Sequence, residues 1–151
     1  MAPLAAQFEE GLPVGSKAPV VTVEDLDGKP VDFGTFIGKK PALIEFWATW
    51  CERCEELLPR LRAAHARFGN QVEWIGVNVT INQSKSRVER YLEKEKPPFR
   101  TLWDGKGAAA RAYEAMTTSY VVVVDRTGTV VYASSGGDQD LEAALRKAVG
   151  Q

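Results

Sequence analysis

The sequence predicts an α/β domain with a central mixed sheet flanked by helices. Three observations carry that expectation. Apolar runs of strand length alternate with amphipathic stretches of helical period, the order expected when helices pack on a sheet. Turn signals separate them: Asp27-Gly28, Gly69-Asn70, Pro97-Pro98 and Asp104-Gly105. A chain of 151 residues, 44% hydrophobic and 26% charged, suits one domain that can bury a core without disulfides or a structural metal.

Residues 1–13 read as a flexible leader, and 14–151 as the domain. Val20–Leu26 reads as a strand, Asp27-Gly28 as a hairpin turn and Pro30–Phe33 as the partner strand. The glycine-punctuated stretch Gly34–Lys40 has room for one helical turn. Ala42–Trp47 is almost continuously apolar, the pattern of a central strand buried on both faces. From Cys51 to Phe68, Leu57, Leu61, Ala64 and Phe68 recur at helical spacing, with Pro59 inside as a predicted kink. Gly69-Asn70 closes that helix, and Val72–Val79 is another buried strand. Ser86 and Glu89 fit a capping box that opens a helix to Lys96, stopped by Pro97-Pro98. Phe99–Trp103 predicts a short strand and Ala108–Glu114 a short helix. Tyr120–Asp125 and Thr129–Ala133 form a hairpin around Arg126–Gly128. Asp138 is placed to cap a final amphipathic helix to Val149.

Composition removes several classes of function. The 19 Lys+Arg and 20 Asp+Glu nearly cancel, unlike the basic surplus of a nucleic-acid binder or a polybasic membrane anchor. Two cysteines exclude a disulfide-rich scaffold, and one histidine leaves few ligands for a metal site. No apolar run is long enough to span a membrane. The first 15 residues lack the basic start and apolar stretch of a signal peptide, which fits either a cytoplasmic protein or a mature form whose export segment was removed.

The chemistry concentrates in Trp47-Ala48-Thr49-Trp50-Cys51-Glu52-Arg53-Cys54, at a predicted strand-to-helix junction. The first cysteine of such a pair sits near the helix N-terminus, where the positive end of the helix dipole favours a thiolate. The second lies one turn inside, within reach of a mixed disulfide held on the first, the geometry a reversible dithiol switch needs. A structural disulfide would close a very short loop and stabilise little. Half of a metal site and two incidental thiols remain open as well.

The stretch Ala42–Pro59, with its WATWCERC motif and helix proline, resembles the thioredoxin superfamily. It is most similar to the TlpA/ResA-like branch (AhpC/TSA-type redoxins) of bacterial extracytoplasmic thiol–disulfide oxidoreductases. Gly15–Pro19 with its following hairpin, Gly76–Val79, Ala112-Tyr113 and Val124–Gly128 resemble the same branch, so the likeness spans about 14–149. The resemblance implies a thioredoxin-like fold with an N-terminal β-hairpin extension and an extra helix in Thr80–Pro98. It implies Cys51 as exposed nucleophile, Cys54 as buried resolving thiol and Trp50 as their shield. Glu45, six residues before Cys51, occupies the place of a buried acid. Read from the residues alone, it is the single charge inside an apolar strand. Burial raises a carboxylate's pKa, which suits a proton acceptor for Cys54.

One departure stands out. The branch carries a cis-proline in the loop facing the cysteines, and here that position is Ser119, preceded by Thr118. A cis bond without proline costs about 2.5–4 kcal/mol, so trans is expected. Thr118 and Ser119 are therefore candidate substrate-binding residues on an altered loop. The smaller residue also leaves open a shared metal or cluster on Cys51 and Cys54, or a binding module with impaired turnover. His65, Arg60, Arg62 and Arg67 read as surface residues, and Trp74 and Trp103 as core. Ala48 holds the position where a peroxidatic site needs threonine. The expected cofactor set is empty apart from the redox pair itself. Expected partners are protein thiols or disulfides, in cytochrome c or copper-site maturation among other settings, and an upstream electron-donor thiol protein. No nucleic acid is expected, and a membrane only through a removed N-terminal anchor. The expected setting is periplasmic or extracytoplasmic, with a cytoplasmic one as the alternative.

Overall fold

The computed structural model describes residues 11–151. Seven strands form one sheet: β1 (Thr22–Asp25), β2 (Pro30–Asp32), β3 (Ala42–Trp47), β4 (Glu73–Asn78), β5 (Arg100–Trp103), β6 (Tyr120–Val124) and β7 (Val130–Ser134). Their spatial order is β2-β1-β5-β4-β3-β6-β7. β3, β4 and β5 run parallel, while β6, β7 and the β1–β2 hairpin add antiparallel edges. The central strands are buried on both faces because helices α1 (Glu52–Phe68), α2 (Lys85–Glu95), α3 (Ala108–Ala112) and α4 (Leu141–Val149) cover the sheet.

Strand alternation sorts the core. Ile44, Phe46, Val122 and Val124 face one side and pack with Phe33, Ala109, Tyr113 and the hairpin residues Val23 and Val31. Leu43, Val121 and Val123 face the other, under Leu57, Leu61, Ala64 and Phe68 of α1 and Leu141, Ala144 and Leu145 of α4. Trp47 continues that second face and meets Cys51, Cys54, Val88 and Tyr91. Glu45 lies between Leu43 and Trp47 on β3, so its side chain points to the face that α1 covers.

Several boundaries differ from expectation. Residues 1–10 of the expected leader lie outside the described residues. Gly11–Pro13 does not behave as leader: Leu12 is buried against the core and its N–H donates to Tyr120 Oη at 2.9 Å. α2 is capped by Ser84, not Ser86, because Ser84 holds extended backbone and its hydroxyl accepts from Arg87 N at 3.2 Å. α4 is capped by Asp140, not Asp138: Asp140 Oδ1 accepts from Ala143 N at 3.0 Å. α3 stops at Ala112 because Glu114 turns left-handed at φ 53°. The first strand shrinks to Thr22–Asp25, and Gly34–Lys40 contributes only the end of a 3-10 turn, Phe33–Thr35. α1 runs unbroken through the exposed Pro59.

Candidate active site

β3 ends at Trp47, and four residues carry the chain into α1. Cys51 and Cys54 are joined as a disulfide, with Cα atoms 5.2 Å apart. Cys51 is the N-cap of α1: its backbone is extended and its sulfur accepts from Cys54 N at 3.1 Å. An amide of the helix start thus points at the sulfur, the arrangement that favours negative charge there. Glu52 and Arg53 are both exposed beside the pair, so neither charge is committed to a buried contact with it.

The expectation of an exposed Cys51 over a buried Cys54 is not met. Cys51 is 4% exposed and Cys54 6%, because Ala48, Trp47 and Val88 close around both. Access is through a cleft of about 270 Å³ lined by Trp50, Cys51, Glu52, Arg53, Thr117 and Thr118. Next to it runs a groove of about 420 Å³, whose wall includes Trp50, Ile81 and Met116. These three are among the large apolar side chains left exposed.

Trp50 is held rather than loose. Its indole Nε1 donates to Ile81 O at 2.7 Å. The loop that accepts it is shaped by left-handed backbone at Thr80 and Asn82, at φ 67° and 50°. Gln83 locks the same loop to the motif: its Oε1 accepts from Thr49 N (2.7 Å) and Asn78 Nδ2 (3.0 Å), and its Nε2 donates to Thr49 Oγ1 (2.7 Å). Nothing in the local sequence around Gln83 marks it for this role.

Glu45 is 3% exposed, with no hydrogen bond or ion pair to its carboxyl among the described residues. Burial pushes its pKa up to about 8. Its cross-strand neighbour Gly76 has no side chain, and the Phe99 ring occupies the space a Cβ would take, about 2.5 Å away. Tyr91 stacks on Trp47 at 5.3 Å between ring centroids. Burial, then the charges of Glu55, Glu95 and Glu45, push its phenol up to about 12. No local signal in the sequence marks Tyr91 for the site; α2 brings it there.

The loop opposite the disulfide is built without proline. No peptide bond among the described residues is cis, and Ser119 sits fully buried in the left-handed region at φ 61°. Thr118 is half-buried and lines the cleft. Ser119 N donates to Phe46 O at 2.9 Å, which fixes the loop to the end of β3. Away from the cleft, His65 is exposed and packs edge-on against the buried Trp74. Trp103 is partly exposed, with Lys85 Nζ 5.8 Å from its ring centroid. Among the described residues no group of three or more His, Cys, Asp or Glu is placed to hold a metal.

Residues 14–133 match the AhpC/TSA family. The chain belongs to the AhpC/TSA family. Thiol-disulfide oxidoreductase ResA of Bacillus thuringiensis subsp. konkukian is 26% identical over 142 residues, 92% of this chain and 80% of the relative. ResA of Bacillus subtilis is 29% identical over 129 residues, 85% of this chain and 70% of the relative. The thioredoxin domain of a thiol-disulfide oxidoreductase from Bacteroides vulgatus superposes with TM-score 0.78 at 26% identity, over 91% of this chain and 99% of that one. A thiol:disulfide interchange protein from Bacteroides sp. superposes with TM-score 0.77 at 25% identity, over 93% and 92%. The fold is thioredoxin-like, and with the Cys51–Cys54 pair in it the protein is a thioredoxin-like thiol–disulfide oxidoreductase of ResA-like type.

Proposed function

We propose that the chain reduces or exchanges disulfides of extracytoplasmic proteins, with Cys51 as nucleophile, Cys54 as resolving thiol and Glu45 as proton carrier. The observation that carries this reading is the cysteine pair at the start of α1, with Cys51 lining a cleft and the unpaired acid Glu45 on the sheet face that α1 covers. In the reduced protein the Cys51 thiolate attacks one sulfur of a substrate disulfide. That S–S bond breaks, the first substrate thiolate leaves and takes up a proton, and a mixed disulfide forms. Cys54 passes its proton to the Glu45 carboxylate and attacks the Cys51 sulfur. The second substrate thiolate leaves, protonated in turn, and the Cys51–Cys54 bond closes. Two electrons have moved to the substrate, and an upstream dithiol protein returns them. A carboxyl with a pKa of about 8 can hold or release a proton close to neutral pH, which suits both directions of the reaction.

Trp50 and Thr118 receive the substrate in this reading, with the apolar groove beside Trp50 taking the residues next to its cysteine. Ser119, expected from the sequence to bind substrate as well, is fully buried behind Thr118 and supports the wall without lining it. The chemistry needs no cofactor beyond the cysteine pair. The ResA relatives support protein thiols as the substrate class. A periplasmic setting, with apocytochrome c or copper-site cysteines as substrates, is part of the proposal. A metal-carrier role would need ligands beyond Cys51 and Cys54, and stoichiometric metal in the freshly purified protein is the result that would favour it. Cys51→Ser tests the central claim: insulin reduction with dithiothreitol as donor should fall to the uncatalysed rate. Retained turnover in that variant refutes the mechanism.

A further inference from the structure

We propose that Gln139 is a positioning residue for substrate docking, holding the Thr117–Thr118 wall of the cleft in place from behind through the buried Ser119. This rests on the reading that this wall receives the substrate. Ser119 occupies a left-handed conformation that a residue with a side chain keeps only when its surroundings impose it. Three hydrogen bonds do so. One is the bond from Ser119 N to Phe46 O; the other two come from the loop before α4. Gly136 N donates to Ser119 Oγ at 3.0 Å, and Gln139 Nε2 donates to Ser119 O at 2.8 Å.

Gln139 is the hub of that loop. It is 5% exposed, and its amide is used on both ends. Nε2 donates to Gly136 O as well as to Ser119 O, both at 2.8 Å, and Oε1 accepts from Tyr132 Oη at 2.8 Å. One buried amide therefore ties the cleft wall, the 135–139 loop and strand β7 together. The loop in turn leans on the helix that carries the cysteines. A Cβ at Gly137 would come 2.6 Å from Glu56 Cβ and 3.3 Å from Arg53 O. The glycine lets the loop lie directly on the first turns of α1. The chain of contact runs from α1 beside Cys54, through Gly137 and Gln139, to Ser119 and the wall facing Cys51. Gln139 touches neither sulfur nor the cleft, so it acts on docking through the loop.

The test is steady-state reduction of insulin, with dithiothreitol as donor, by wild type, Gln139→Leu and Gly137→Ala, alongside the reduction potential of the cysteine pair in thiol buffers. Gly137→Ala leaves every Gln139 hydrogen-bonding group in place and pushes the loop off α1. Both variants should raise KM for insulin about tenfold, the equivalent of about one good hydrogen bond, while kcat and the potential stay at the wild-type values. Should Gln139→Leu fail to fold, Tyr132→Phe, which removes the donor to Gln139 Oε1, takes its place with a smaller rise. Thr118→Trp, which fills the cleft, separates the two ideas. If it raises KM and the Gln139 and Gly137 variants do not, the role of Gln139 is overturned and the docking wall stands. If none of them moves KM, the docking reading fails too. Loss of kcat, potential and thermal stability together would mark Gln139 as merely structural and overturn the proposal.

Discussion

Replacing Glu45 by Gln keeps the shape of the side chain and removes its proton. In the folded protein the Glu45 carboxyl has a pKa of about 8 against an ordinary value of 4.5. The unfolded chain therefore ionises Glu45 first, and between those values the folded state binds more protons. Stability falls with pH where the folded state holds the extra proton. The favourable contribution is complete below pH 4.5, is lost as pH rises through 8, and changes no further above it. A separation of that size, at about 1.4 kcal/mol per pH unit, amounts to on the order of 5 kcal/mol. The assay is urea unfolding of oxidised wild type and Glu45→Gln from pH 4.5 to 9, with the disulfide intact so that the cysteines do not titrate. The wild type should be the more pH-sensitive, and the difference between the two curves should shrink or reverse as pH rises and level off above 8. The same substitution should remove a midpoint near pH 8 from the rate of mixed-disulfide resolution. A stability difference that moves by less than about 1 kcal/mol across this range would refute the account of Glu45 as a buried, unpaired acid.

Two further outcomes follow from the loops around the disulfide. Ser119→Pro, the substitution that restores the residue usual in the TlpA/ResA-like branch, should destabilise this protein by about 2–5 kcal/mol in urea unfolding: proline cannot take φ 61°, and the Ser119 N–H bond to Phe46 O is lost. Equal or greater stability would show that the loop readily adopts another path. Gln83→Leu strips the partners from Thr49 N and from the fully buried Asn78 amide, and should cost about 1–3 kcal/mol by the same measurement. It should also raise the mobility of Trp50, read from indole fluorescence anisotropy against a Trp50→Phe control; unchanged anisotropy would separate the bracket from the indole.

How much of this was legible in the sequence depends on the range of the forces involved. The strands Ala42–Trp47 and Tyr120–Val124 declare themselves because continuous apolar runs bounded by turn residues have few other uses. The cysteine pair and the lone charge of Glu45 stand out for the same local reason. Helix starts were less secure. Ser84 and Ser86 compete for one cap, as do Asp138 and Asp140, and backbone geometry at the first residue decides between them. The burial of Cys51 depends on Val88, brought in from a separate helix. The conformation of Ser119 depends on Gly136 and Gln139, 17 and 20 residues away. No window of sequence around position 119 contains that information.

The N-cap of α1 carries one more implication. The atom that closes the first turn of this helix is the atom that reacts. A cap contributes about 1 kcal/mol to a helix, and thiolate, thiol and disulfide sulfur differ as acceptors. Each exchange therefore tightens or slackens the end of α1, and the relation is reciprocal. If the cap is stronger by about 1 kcal/mol in one redox state, the two-electron potential of the pair moves by roughly 20 mV toward that state. Substitutions that steady or loosen the first turn, at Glu52 or Glu55, can then tune the driving force without touching either sulfur. The helix terminus is a setting for the redox poise as well as a support for the fold.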